Sequence, residues 1–279
     1  MKLREDGLKS PIYHAVIVIL FAVGLVSLPY NKLFCSFIEN QLHCHYISNA
    51  LPRLIVSAIA VIFIAKYGFI KPFKSLSPKG LLLIIPALIV CINNFPIVGV
   101  ITGNVVIEET SGITLLLYAL YCLSIGIFEE TVFRGIVFPL CYQKLKDKKL
   151  GLFFAVALSS AMFGATHLVN ALAGMNIGLC LLQVGYSFLI GALCAVAVVI
   201  TKNLFVAIFL HTIYDIGGML LNRVGELSFA TGFQWDTLTV VITAVLGVLC
   251  AIYTVMLLLK ANELETQKLF NLYNQSETN

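Results

Sequence analysis

The sequence predicts an all-α fold, a polytopic membrane protein of about eight transmembrane helices built as one domain over residues 1–279. Three observations carry this expectation. Of the 279 residues, 59% are hydrophobic and only 11% charged, with a mean hydropathy of +0.96, whereas a soluble globule carries roughly a quarter charged residues. The apolar residues fall in runs of about 17 to 25, long enough to cross a hydrocarbon core as helices. The basic residues between those runs alternate from one side to the other, as topology signals do. Soluble enzyme, nucleic-acid binder and disordered scaffold are all poor fits to such a chain. The net charge of +4 does not change this, because the basic residues form short clusters and not a face interleaved with aromatics.

The spans are expected at 12–29, 47–65, 81–98, 113–141, 151–169, 177–200, 203–221 and 237–259. Lys2, Arg4 and Lys9 precede the first run, and Leu28-Pro29-Tyr30 lacks the small residues of a cleavage site, so this run is a span and not a signal peptide. Cys35 and Cys44 share the polar loop that follows, where a disulfide and two free thiols both remain open; His43 and His45 flank Cys44 and are expected to be exposed. The fourth run, about 29 residues at ~1.5 Å each, exceeds the core thickness and must tilt or project. Cys91, Cys122, Cys141, Cys180, Cys194 and Cys250 fall in or beside apolar runs, where they pack as small hydrophobes, and no two cysteines are spaced as a CxxC zinc pair. The polar stretch 260–279 reads as a tail.

Fourteen of the 18 Lys and Arg residues lie in one set of connections, from Lys2 through Lys66–Lys79, Lys144–Lys149 and Lys202 to Lys268. The other set holds Lys32, Arg53 and Arg223. Positive residues mark the cytosolic side, so both termini are expected there. Tyr30, Tyr67, Tyr142 and Trp235 stand near span ends, where interfacial aromatics belong. No internal repeat or low-complexity tract is apparent.

An ionisable group inside a span costs several kcal/mol unless it is paired or hydrated, so each is a candidate for function. The fourth span carries Glu129, Glu130 and Arg134; the fifth ends near His167; the seventh holds His211 and Asp215. Glu130 and Arg134, four apart, share a helix face and suit an ion pair, while Glu129 sits about 100° away without that partner. His211 and Asp215 also share a face, where the carboxylate could fix the imidazole tautomer or join it on a metal. Gly164 and Ala165, just before His167, permit close approach of a neighbouring helix. His14 near the start of the first span is a weaker candidate, and Glu108-Glu109 in an outer loop is a solvated pair. Counted from the cytosolic helix ends, Glu129 lies ~18 Å deep, His211 ~12 Å, Asp215 ~18 Å and His167 ~24 Å, near enough to form one intramembrane site.

Three blocks, EExxxR at 129–134, FxxxH at 163–167 and HxxxD at 211–215, therefore stand in order on separate spans. Over residues 113–221 the chain resembles the CPBP family, the CAAX-protease and bacteriocin-processing or Abi family of intramembrane glutamate proteases. The resemblance implies an endopeptidase whose site opens to the cytosol, and which acts on a membrane-associated peptide or protein with no cofactor; the short loops and lack of trafficking tails point to a bacterial cell membrane. By position, Glu129 would activate water, His167 would position it, and His211 with Asp215 would stabilise the oxyanion. Many members have Asn where Asp215 stands, which leaves three roles open for it: a protonated donor, a carboxylate that orients His211, or a zinc ligand together with Glu129, His167 and His211. The rival reading is a non-catalytic immunity or scaffold protein that binds a transporter or sensor kinase, and an ion-coupled transporter is a third. All three of Glu129, His167 and His211 being present favours catalysis.

Overall fold

The structure is a computed structural model that describes residues 10–107, 110–220, 230–231 and 237–272. Lys2, Arg4, Lys9, Glu108, Glu109, Arg223, Trp235 and the tail beyond residue 272 lie outside the described residues. The helices are α1 (Pro11–Val26), α2 (Asn31–Phe34), α3 (Gln41–Tyr67), α4 (Pro78–Leu83), α5 (Ile85–Asn93), α6 (Ile97–Ile101), α7 (Gly112–Val132) and α8 (Phe138–Leu145). They continue with α9 (Gly151–Thr166), α10 (Val169–Leu172), α11 (Ile177–Thr201), α12 (Leu204–Met219), α13 (Thr237–Lys260) and α14 (Glu263–Leu269). One two-residue ladder, Val106–Ile107 antiparallel to Ala230–Thr231, joins the connections before α7 and after α12.

The protein is a helical membrane protein. Among the described residues, six helical stretches are long and apolar enough to cross a bilayer: Pro11–Phe34, Gln41–Tyr67, Gly112–Leu145, Gly151–Leu172, Ile177–Thr201 and Thr237–Lys260. Of the eight expected spans, the seventh is the shorter α12 with 16 residues. The third, expected as one helix over 81–98, is broken into α4, α5 and α6. Pro86 near the start of α5 and Pro96 before α6 each lack the N–H that a continuous helix would need.

The loop before α3 also differs from expectation. That helix starts at Gln41, where the Asn40 side chain accepts from the His43 amide at 2.9 Å. His43 and His45 are therefore helical and half-buried, and the His43 ring bonds Thr114 Oγ1 at 2.8 Å. Cys44 is fully buried and forms a disulfide with Cys35, which ties the α2 segment to α3. The six other cysteines are free and buried, as small hydrophobes are.

α7 does not end at its carboxylates. It passes through a π-helical segment, Phe133–Val137, directly into α8, and every residue from Glu130 to Tyr142 is buried. Around it pack α3 and α12 on one part, and α9 and then α11 on the other. Gly126 brings α12 close, since a Cβ there would stand 2.5 Å from Thr212 Oγ1. Gly164 does the same for α11, where a Cβ would lie 2.7 Å from the Val184 carbonyl. Ala165, expected to share that role, is exposed.

The stretch after α13 is not a free polar tail over its described part. α14 and the turn that follows fold back onto the bundle, with Phe270 fully buried edge-on to Phe138 at 5.4 Å and Phe69 at 6.4 Å. Lys71 Nζ donates to the Lys268 carbonyl at 2.8 Å, Lys146 Nζ to the Leu272 carbonyl at 2.9 Å, and Lys202 pairs with Glu265 at 2.9 Å. The bonded Lys202 ammonium, with Lys268 beside it, holds the Glu265 carboxyl below its usual range. Three basic connections thus converge on one segment at one end of the bundle. Replacing Phe270 by Ala should lower unfolding stability by about 3 kcal/mol, the usual cost of emptying a core aromatic site. Leu264→Ala, at 44% exposure, should stay within ~0.5 kcal/mol. Thermal unfolding in detergent compares the two.

Candidate active site

Four segments bring the polar groups together: the end of α7, the π-helical turn, the end of α9 and the middle of α12. Helical spacing puts Glu130 beneath Arg134, and the guanidinium Nη1 meets Glu130 Oε1 at 2.9 Å with both side chains buried. This is the ion pair expected from the sequence. The same Oε1 also accepts from His211 Nδ1 at 2.6 Å, so Glu130 serves two cations across two helices.

Glu129 is not left alone, as its helix position suggested. His211 Nε2 stands 3.3 Å from Glu129 Oε2 and 3.8 Å from Asp215 Oδ2. The imidazole thus faces a carboxylate oxygen at each nitrogen, and a ring that donates at both is an imidazolium. At 3.8 Å Asp215 is beyond hydrogen-bond reach, so the acceptor that fixes the His211 ring is Glu130.

His167 caps the end of α9. Its ring meets Phe163 edge-on at 5.3 Å, and His211 meets the same phenyl ring at 5.9 Å. The Arg134 guanidinium lies over the Phe163 face at 4.6 Å, an arrangement that the ring quadrupole favours. Phe163 is therefore the apolar hub on which both histidines and the arginine rest, a role its place in FxxxH did not disclose. His14 stays on α1, bonded to the Ser10 carbonyl at 3.0 Å, and takes no part.

The depth count changes with the fold in hand. Because α8 runs on to Leu145, Glu129 lies about 24 Å from that helix end at ~1.5 Å per residue, which equals the depth of His167 from the start of α9.

The site is closed on one side and open on the other. Glu130 is fully buried and Arg134 nearly so, while the side chains of Glu129 and Asp215 keep 17% and 13% exposure. His167 Nε2, Asp215 Oδ2 and Glu130 Oε2 are buried without a hydrogen-bond partner in the protein. Among the described residues, the metal-type ligand atoms within 4.8 Å of one another belong to Glu130, Cys194 and His211. The set Glu129, His167, His211 and Asp215 is not drawn that close. No sequence signal pointed to Cys194, because α11 carries no charged or histidine side chain to draw attention to it. Separately, an apolar cavity of about 510 Å³ lies among α5, α9, α11, α12 and α13. Its wall includes Tyr214, the residue before Asp215, but none of the site carboxylates or histidines.

A helical membrane protein with carboxylates, imidazoles and a guanidinium gathered inside its spans falls in the class of intramembrane polar-site proteins. Residues 111–217 match the family model described as type II CAAX prenyl endopeptidase Rce1-like. The matched segment begins just before α7 and ends within α12, so it contains all three polar blocks. Neither the curated proteins nor the solved structures include a match to this chain.

Breaking a buried ion pair strands a charge, which costs about 3–5 kcal/mol. Glu130→Gln should therefore lower the unfolding temperature in detergent clearly, and Glu130→Gln combined with Arg134→Gln should recover part of the loss. An unchanged melting curve for the single variant would count against the pairing.

Proposed function

We propose that the chain is an intramembrane endopeptidase that hydrolyses a peptide bond in a membrane-associated peptide or protein with Glu129 as general base. The observation that supports this most is the asymmetry of the carboxylate pair. Glu130 is consumed by Arg134 and His211, whereas Glu129 has one long contact and retains access to the open side. A general base needs that access and a held orientation.

Water placed between Glu129 and His167 Nε2 gives its proton to the Glu129 carboxylate as its oxygen bonds the scissile carbonyl carbon. The carbonyl oxygen becomes an oxyanion, which His211 Nε2–H stabilises, and Asp215 in its protonated form donates a second hydrogen bond. The C–N bond then breaks, and the proton held by Glu129 passes to the leaving amine. Asp215 fits the donor role better than the orienting role because Glu130 already holds His211 at 2.6 Å. No metal enters these steps. The apolar cavity beside Tyr214 supports a substrate with a lipid tail or apolar segment lying in the bilayer. The basic connections gathered at the α14 end support a cytosolic placement of that end and of both termini.

Glu129→Gln and His167→Ala should each abolish cleavage of membrane-associated peptides by purified protein while leaving the melting curve near wild type. Asp215→Asn should keep most activity, because an amide supplies the same donor. Cleavage by Glu129→Gln at the wild-type rate would rule out the assignment.

Orientation has its own test. A single cysteine introduced at the exposed Lys148 should react with a membrane-impermeant thiol reagent only after the cytosolic face is opened. Labelling of intact cells would reverse the topology.

A further inference from the structure

Cys194 on α11 is 1% exposed and has no part in the hydrolysis proposed above. Its sulfur rests 3.9 Å from the Ala207 carbonyl, a weak contact. Yet Cys194 Sγ, a carboxylate oxygen of Glu130 and a ring nitrogen of His211 all lie within 4.8 Å of one another. Glu130 Oε1 is taken by His211 and Arg134, but Oε2 of this fully buried side chain has no partner. A buried acceptor of that kind is rare in a folded protein and is met by water, an ion or another donor.

Thiolate, imidazole and carboxylate together form a donor set suited to zinc and cobalt, and poorly suited to magnesium or calcium. Ligand atoms around a tetrahedral zinc stand about 3.5 Å apart, so movements of about 1 Å would close this cage. We infer that Cys194, Glu130 and His211 form an inhibitory site for a zinc-like divalent ion. The inhibitory consequence rests on the proposed protease activity; the binding does not.

On binding, the ion forms bonds to Cys194 Sγ, Glu130 Oε2 and His211 Nδ1, and water fills the fourth position. The thiol proton and the Nδ1 proton leave to solvent, and nothing is oxidised or reduced. Arg134, 2.9 Å from Glu130 Oε1, opposes an added cation. The charge of the new thiolate offsets it, which makes Cys194 the deciding ligand. His211 bound through Nδ1 loses its anchor on Glu130 and turns away from Glu129 and the oxyanion position, so hydrolysis stops.

The test uses the purified full chain in detergent with zinc alone and with cobalt alone. Zinc should suppress wild-type peptide cleavage, and a chelator should restore it. Cys194→Ala and Cys194→Ser should cleave as wild type does but need at least ~10-fold more zinc, since losing even an outer-shell partner of a metal costs that much. Cobalt should give a near-ultraviolet thiolate charge-transfer band in the wild type that both variants lack. Equal zinc sensitivity of wild type and variants, or a band that survives Cys194→Ser, would overturn the site. A band that depends on Cys194 in a protein that cleaves no peptide would uphold the metal site and remove the protease reading instead.

Discussion

The His211 imidazole, held between Glu130 at 2.6 Å and Glu129 at 3.3 Å, is the contact on which the rest of this structure depends. Inside a bilayer no water is at hand to solvate a carboxylate, so two adjacent glutamates are tolerable only if cations meet them. Arg134 supplies one from the same helix and His211 the other from α12. The second can arrive only because Gly126 lets the two helices come within backbone distance. The polar cluster and the close packing of α7 with α12 therefore imply each other.

The π-helical turn is the second constraint. A wider turn at Phe133–Val137 shifts the phase of everything after it relative to α7. The turn holds Arg134 over the Phe163 ring and carries the helix on to Leu145, where its end meets the segment after α14. A stretch buried on all sides from Glu130 to Tyr142 is unusual for a membrane span, most of which face lipid on one side. Here α1, α3, α9, α11 and α14 surround it, and this leaves access to the carboxylates from the Glu129 and Asp215 side.

That asymmetry is what makes the site chemically useful in the proposed reading. A fully enclosed knot of charges serves stability alone, whereas this one spends Glu130 on structure and leaves Glu129 exposed enough to meet water. His167 and Asp215 present buried polar atoms that the protein does not satisfy, so groups from outside the chain are needed to complete the set. The same geometry brings an unused thiol, Cys194, to the back of the cluster, where a soft metal could compete for His211.

Composition and run length were sufficient to establish a helical membrane protein, because a chain with so few charges has no soluble solution. They also located most spans to within a few residues. The Glu130–Arg134 pair was legible because i, i+4 spacing is a local property of one helix, and the candidacy of Glu129, His167, His211 and Asp215 followed from the cost of burying such groups. Where local rules end, the sequence was silent or misleading. Pro86 and Pro96 split the third span, the disulfide and Asn40 drew His43 and His45 into α3, and Phe270 anchored a stretch that looked like solvent-facing tail. Only the tertiary structure decided which partner each charge took. Glu129 lacks a cation on its own helix and finds one on α12, His211 is fixed by Glu130 and not by Asp215, and Cys194 reaches the site from a helix with no charged or histidine side chain. The glutamate–histidine pairings join residues about 80 positions apart, and helix packing, not the spacing of residues along the chain, sets them.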